Sequence, residues 1–109
     1  MTGGSGMLLS GKNVIITGSA QGIGKMMLET FAASGANVWA CARMKTDEFE
    51  ANAQVLREKY QVSIWPVYFD LRDHEQLKAA AKSITATKLP VDALVNNASS
   101  FYATPIGVA

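Results

Sequence analysis

Short apolar runs alternate with amphipathic segments along the chain. Val14–Ile16 is a β-branched run that predicts a strand covered on both faces, as in a parallel sheet. Similar runs at 37–41, 62–69 and 93–95 predict further strands. Pro66 lies inside the third run and cannot donate a ladder hydrogen bond. The third strand is therefore expected at an edge of the sheet.

Apolar residues at helical spacing predict one helix between each strand and the next. The apolar stripes are Ile23, Met27, Leu28 and Phe31 in the first helix, Phe49, Ala53, Leu56 and Tyr60 in the second, and Leu77, Ala80, Ala81 and Ile84 in the third. Gly35 predicts the end of the first helix. Thr46 and Asp73 predict the N-caps of the other two, and Gln76 completes a capping-box-like pattern with Asp73.

Regular alternation of strand and helix is typical of an α/β fold with a parallel sheet. Because crossovers between parallel strands are right-handed, two units winding outward from the first strand place the third strand at an edge. The fourth strand then lies on the other side of the first, which gives the order 3-2-1-4 with helices on both faces. In such sheets ligands bind at the switch point between the first and fourth strands.

Three glycines lie between the first strand and the first helix, in the sequence Thr17-Gly18-Ser19-Ala20-Gln21-Gly22-Ile23-Gly24. Unpaired amides at a helix N-terminus favour an anion, and a glycine lets a diphosphate approach the backbone. We therefore predict a dinucleotide diphosphate site here. The alternative is a tight strand-to-helix turn without a ligand, because three glycines at fixed spacing are a weak signal on their own.

The end of the second strand carries no acidic residue. An acid at this place selects NAD by accepting from the ribose 2′-hydroxyl, whereas Cys41-Ala42-Arg43-Met44-Lys45 offers a guanidinium instead. The planar donors of Arg43 suit a phosphate, which favours NADP(H) over NAD(H). The alternative is an ordinary solvated arginine in a loop.

Polar residues also follow the third and fourth strands. Asp70 is placed to accept a hydrogen bond from an adenine amino group, or to act as a turn or cap residue. Asn96 and Asn97 leave the fourth strand, where paired asparagines can tie neighbouring loops together. An ordinary turn is the alternative for these asparagines.

Composition narrows the class of protein. The chain has 109 residues, one domain's length, of which 49% are hydrophobic and 17% are charged, with a net charge of +1. This balance argues against a nucleic-acid partner or a polybasic membrane contact, and the apolar runs are too short to cross a bilayer. Cys41 and His74 are the sole residues of their types, so we expect no disulfide and no metal site. Residues 1–6 are read as a flexible leader, and a cytoplasmic location is expected.

The chain resembles a short-chain dehydrogenase/reductase, closest in character to NADPH-dependent 3-oxoacyl-ACP reductases. Thr17-Gly18-x-x-x-Gly22-Ile23-Gly24, Asp70-Leu71 and Asn96-Asn97-Ala98 match the family's cofactor motifs in order and spacing, from Leu8 to about Ala98. The resemblance implies a Rossmann half-domain over residues 7–98 that holds NADP(H). The implied cofactor-binding residues are Gly18, Ser19, Gln21, Gly22, Ile23, Gly24, Arg43, Asp70, Leu71, Asn97, Ala98 and Ser99.

Specific roles follow from that resemblance. Ser19 and Arg43 would hold the 2′-phosphate, and Asp70 and Leu71 would flank adenine. Asn97 and Ala98 would lie along the nicotinamide-side ribose. The family usually has glycine where Ser99 stands, and the run 96–102 resembles pteridine reductases instead. The substrate class is therefore open between a 3-oxoacyl compound and a pteridine.

The family's catalytic serine and Tyr-x-x-x-Lys helix have no counterpart in this sequence, because no tyrosine is followed four residues later by lysine. We therefore expect the cofactor-binding portion of a carbonyl reductase that is inactive alone, with an irregular tail at 99–109. The alternative is a non-catalytic nucleotide-binding module. A receiver-type domain is disfavoured, since Thr17-Gly18 stands where its carboxylates would be. An unpaired fourth strand predicts self-association, and the parent enzyme is expected to be a homo-oligomer.

Overall fold

The computed structural model describes residues 8–97. Strands and helices alternate along these residues. The strands are β1 (Asn13–Ile16), β2 (Asn37–Ala42), β3 (Ile64–Tyr68) and β4 (Ala93–Val95); the helices are α1 (Gly22–Ala33), α2 (Asp47–Tyr60) and α3 (His74–Ala86). All strand pairs are parallel, and the order is β3-β2-β1-β4. The predicted α/β class and strand order are confirmed.

The sheet is covered by helices on both faces, because successive side chains of each strand point to opposite sides. On one face, Val14, Ile16 and Val38 pack with the buried residues of α1 and α2. On the other face, Cys41 and Phe69 pack with Ala80 of α3. The result is the three-layer arrangement that the sequence predicts.

Helix α1 confirms only part of the predicted stripe: Leu28 is buried in the core and Phe31 packs against it. Its buried residues are Gly24, Leu28 and Ala32, whereas Ile23 is 66% exposed and Met27 is only partly buried. The prediction for Ile23 was wrong because Gly24 has to face the backbone of Gly18, which turns the neighbouring side chain outward. Gly35 follows the helix with φ of +94°, as predicted.

The other two helices begin as the sequence predicts. The Thr46 side chain accepts from Phe49 N at the start of α2, and the Asp73 carboxylate accepts from the amides of Glu75 and Gln76 at the start of α3. Ala81 is the exception to the predicted stripe of α3: it is exposed. Ala80 and Ile84, which also belong to the predicted stripe, are buried as expected.

Strand β3 forms one edge of the sheet, as Pro66 predicts. It is shorter than the predicted 62–69, although the flanking residues still pair through Val38 N to Ser63 O and Phe69 N to Ala42 O. Arg57 Nε donates to Ile64 O at 3.0 Å, so a strand carbonyl is used by a helix side chain. This edge is therefore partly closed to further strand pairing.

The opposite edge is formed by β4, which pairs with β1 alone among the described residues. Leu94 in this strand is 62% exposed, whereas Val38–Ala42 in β2 are buried. An open edge with exposed apolar side chains is a template for association. The predicted self-association through β4 stays a prediction.

A row of polar side chains joins the amino ends of the strands. Asn13 N donates to Asp92 Oδ2 at 2.8 Å, Asn37 Nδ2 donates to Asn13 Oδ1 at 3.1 Å, and Ser63 N donates to Asn37 Oδ1 at 2.9 Å. Buried amides need such partners, because an unpaired polar group costs about 1–3 kcal/mol. The row fixes the register of the sheet at the end opposite to the candidate site.

Candidate functional site at the carboxyl edge of the sheet

The glycine loop between β1 and α1 is shaped by two left-handed residues. Gly18 has φ of +61° and Gly22 has φ of +59°, a region that other residues enter at a cost of about 1–2 kcal/mol. A Cβ on Gly22 would meet nothing within 4 Å, so the backbone there faces open space. A ligand can therefore approach the loop backbone directly at Gly22.

Gly24 meets the opposite situation. A Cβ there would lie 1.7 Å from Gly18 O and 2.6 Å from Gly18 C. No side chain fits in this space, so the first turn of α1 can rest on the loop only with glycine at this position. The spacing of Gly18 and Gly24 in the sequence is thus explained by a backbone-to-backbone contact.

Helix α1 begins without a side-chain cap. Gln21 is in the N-cap position but makes no capping hydrogen bond, and the first turn holds no acidic residue. In contrast, α2 has Thr46 as its cap and three acids in its first turn, and α3 has Asp73. The amides and the positive end of the helix dipole at the start of α1 can bind an anion, and the backbone at Gly22 is open on the side where a Cβ would lie.

Ser19 is placed differently from the other predicted site residues. Its side chain is fully buried, and its Oγ donates to Ile16 O at 2.7 Å. Its amide donates to Cys41 O at 2.9 Å, which ties the loop to β2. In this conformation the Ser19 hydroxyl faces the protein interior, away from the exposed side of the loop, where Gln21 and Ile23 lie exposed.

Thr17 connects the glycine loop to the end of β4, a role that the sequence patterns did not reveal. Its Oγ1 donates to Asn96 Oδ1 at 2.8 Å and accepts from Asn97 N at 2.9 Å. Its amide also donates to Val95 O. The predicted tie between neighbouring loops by the paired asparagines is therefore present. It joins the ends of β1 and β4 at the switch point.

The side-chain nitrogen of Asn97 is a further feature of this segment. Its Nδ2 is buried and has no hydrogen-bond partner within residues 8–97. Buried amide nitrogens are nearly always paired, so this donor is unusual among the described residues. The other two predicted residues of this segment, Ala98 and Ser99, lie outside the described residues.

Asp70 is held by two arginines at the carboxyl ends of β2 and β3. Arg72 donates to it through Nε at 3.1 Å and Nη2 at 3.0 Å, and the Arg72 amide donates at 2.9 Å. Arg43 Nε lies 3.9 Å from Asp70 Oδ2. The hydrogen bonds from Arg72 lower the pKa of Asp70 to about 2, so the carboxylate is ionised at neutral pH. Leu71, predicted to flank adenine, is 41% exposed beside it.

The buried thiol of Cys41 lies in β2, next to Ala42, the last residue of that strand. Burial raises its pKa to about 12. A thiol with so high a pKa stays protonated at neutral pH and is a poor nucleophile. The chemistry of this edge is therefore that of binding, with amides, guanidinium groups and a carboxylate.

The fold is that of an α/β protein with a parallel sheet of the doubly wound type. The family model described as short chain dehydrogenase matches residues 12–107. The chain belongs to the short-chain dehydrogenase family, whose members are oxidoreductases. The predicted family is confirmed; the pteridine-reductase character of residues 96–102 stays a prediction.

Named relatives include two reductases or dehydrogenases from yeasts. A very-long-chain 3-oxoacyl-CoA reductase of Meyerozyma guilliermondii is 33% identical over 96 residues, which are 88% of this chain and 28% of that protein. An NADP-dependent 3-hydroxy acid dehydrogenase of Schizosaccharomyces pombe is 31% identical over 90 residues, which are 83% of this chain and 35% of that protein. The chain thus spans about a third of the length of these relatives.

Among solved structures, L-sorbose reductase from Gluconobacter frateurii, in complex with NADPH and L-sorbose, is similar. It superposes with a TM-score of 0.77 at 37% identity and covers 87% of this chain and 36% of its own. No helix among residues 8–97 is long and apolar enough to cross a membrane.

Replacing Gly24 should be far more damaging than replacing Gly22. Gly24→Ala places a methyl group against the Gly18 backbone and should cost about 3 kcal/mol or more of unfolding free energy. Gly22→Ala adds a methyl group in open space and should cost only the left-handed backbone penalty, about 1–2 kcal/mol. Urea denaturation of both variants measures the difference, and equal losses would contradict the close-contact explanation.

Asp70 should make stability depend on pH only in the acid range. Because its folded-state pKa lies below the ordinary value of 3.8, its contribution is fully present above that value and is lost as pH falls towards about 2. Arg72→Gln should move the Asp70 pKa upward, since the largest stabilising interaction is removed. Carboxyl NMR titration of both proteins measures this; an unchanged pKa would show that Arg72 does not hold the carboxylate in solution.

Proposed function

We propose that this chain is the NADP(H)-binding portion of a short-chain dehydrogenase/reductase that reduces a carbonyl group, 3-oxoacyl or similar, by hydride transfer. The observation that carries the proposal is the uncapped, acid-free start of α1 beside the open backbone of Gly22. Family membership over residues 12–107 supports it. So do the names of relatives, among them an NADP-dependent dehydrogenase and a reductase solved with NADPH.

Each part of the carboxyl edge has a role in this proposal. The amides at the start of α1, with Gly18 and Gly22, bind the diphosphate. Arg43 binds the 2′-phosphate through its planar guanidinium group. Its side chain is 66% exposed and therefore accessible to a ligand. Ser19 supports this place by fixing the loop to β2 through its amide. The unpaired Nδ2 of Asn97 donates to a hydroxyl of the nicotinamide-side ribose.

The bound nicotinamide would supply the hydride. What the described residues do is orient the dinucleotide along the switch point and hold its anionic groups. Thr17 keeps the glycine loop and the Asn96-Asn97 segment at a fixed separation, so both halves of the dinucleotide meet preformed partners. The sequence contains no Tyr-x-x-x-Lys to protonate the carbonyl oxygen, and we propose that this chain alone binds but does not turn over.

Titration of the isotope-labelled chain with NADPH tests the proposed site. Amide signals from the loop residues 18–24 should shift at sub-millimolar to millimolar ligand, because those amides donate to the diphosphate. Amides at the other end of the sheet, such as that of Asn13, should not shift. Loop signals that stay unmoved at millimolar NADPH would leave an α/β scaffold without a nucleotide site.

Arg43→Asp should weaken NADPH binding by about 10- to 100-fold, the range expected for losing a charge-assisted hydrogen bond of about 1.5–3 kcal/mol. NADH lacks the 2′-phosphate, so its affinity should change little. Lys12→Asp makes the same charge change at the amino end of β1, away from the site, and serves as the control. Dissociation constants measured by calorimetry or fluorescence decide; equal losses for both coenzymes would refute the role of Arg43.

A further inference from the structure

We infer that Arg72 is a positioning residue that sets the preference for 2′-phosphorylated adenosine, by holding the Asp70 carboxylate so that Arg43 is left to meet the phosphate. This inference rests on the proposed function. It assigns a role in coenzyme selection to an arginine that lies two residues beyond Asp70 and belongs to none of the motifs found in the sequence.

Both guanidinium groups approach one oxygen of Asp70. Arg72 Nη2 lies 3.0 Å from Oδ2, whereas Arg43 Nε lies 3.9 Å from it. The second oxygen, Oδ1, accepts from Arg72 Nε and from the Arg72 amide. Arg72 therefore grips both oxygens at hydrogen-bond distance, while Arg43 makes only a long ion pair.

The carboxylate cannot easily turn away from this arrangement, because the turn that carries it is fixed. Asp73 N donates to Asp70 O at 2.9 Å, and Asp70 N donates to the Gln76 side chain at 2.9 Å. Gln76 Nε2 in turn donates to the Asp73 carboxylate that caps α3. The start of α3 thus sets where Asp70 stands.

Charge explains why this matters for the coenzyme. Asp70 lies 3.9 Å from Arg43, and a carboxylate so close lowers the attraction of that guanidinium group for a 2′-phosphate. Arg43 and Asp70 alone would form a neutral pair, and the pair would offer a dianion little attraction. With Arg72 the three groups carry a net charge of +1, because Arg72 neutralises the Asp70 charge at hydrogen-bond distance.

The test compares 2′,5′-ADP with 5′-AMP as probes, since they differ only in the 2′-phosphate. Arg72→Gln should weaken 2′,5′-ADP binding by about tenfold and leave 5′-AMP binding within about twofold. Arg72→Lys keeps the charge and should retain most of the preference. Lys12→Gln loses the same charge at the amino edge and should leave both affinities unchanged. Arg72 is exposed, and thermal unfolding checks that each variant folds.

A double variant separates charge compensation from other effects. Under this inference, Arg72→Gln combined with Asp70→Asn should restore the preference for 2′,5′-ADP, because the uncompensated carboxylate is gone. An unchanged preference in Arg72→Gln, or no recovery in the double variant, would overturn the inference. A wild-type chain that binds neither probe, or binds both equally, would instead overturn the proposed NADP(H) function itself.

Discussion

The contact between Gly24 and the carbonyl of Gly18 is the constraint on which the candidate site depends. Because no side chain fits between them, helix α1 starts directly above the end of β1, and its free amides face the same edge as the ends of β2, β3 and β4. The buried Ser19 and the bridging Thr17 hold the loop in that position from either side, through β2 and β4 respectively. The position of these amides at the edge is thus a result of backbone packing.

The charged groups at this edge have to be understood together. Seen alone, Arg43 indicates affinity for a phosphate, and Asp70 indicates repulsion of one. The structure places them within 3.9 Å of each other and adds Arg72, which takes up the carboxylate. Affinity at such an exposed place comes from the sum of nearby charges, and solvent and salt moderate each pair. The role of any one residue is therefore defined by its neighbours.

Much of the fold could be predicted from the sequence, because the period of the apolar residues fixes the type of each element and Pro66 fixes the edge. The buried face of α1 could not be predicted fully, because glycine does not contribute to a hydrophobic pattern. Gly24 occupies the buried position that was predicted for Ile23. Gly18 and Gly22 could be found from their spacing together with their place between a predicted strand and a predicted helix. Arg72 and Thr17 were missed because their partners come from turns and from other strands, which periodicity does not encode.

The two edges of the sheet differ in how readily they can pair with a further strand. At β3, proline removes a donor and Arg57 occupies the Ile64 carbonyl, so that border is capped. At β4, the described residues leave main-chain groups and Leu94 exposed. Any additional strand, whether from the same polypeptide or from another molecule, is accordingly directed to the β4 side. The proposed coenzyme site at the ends of β1 and β4 would then lie near the middle of the enlarged sheet.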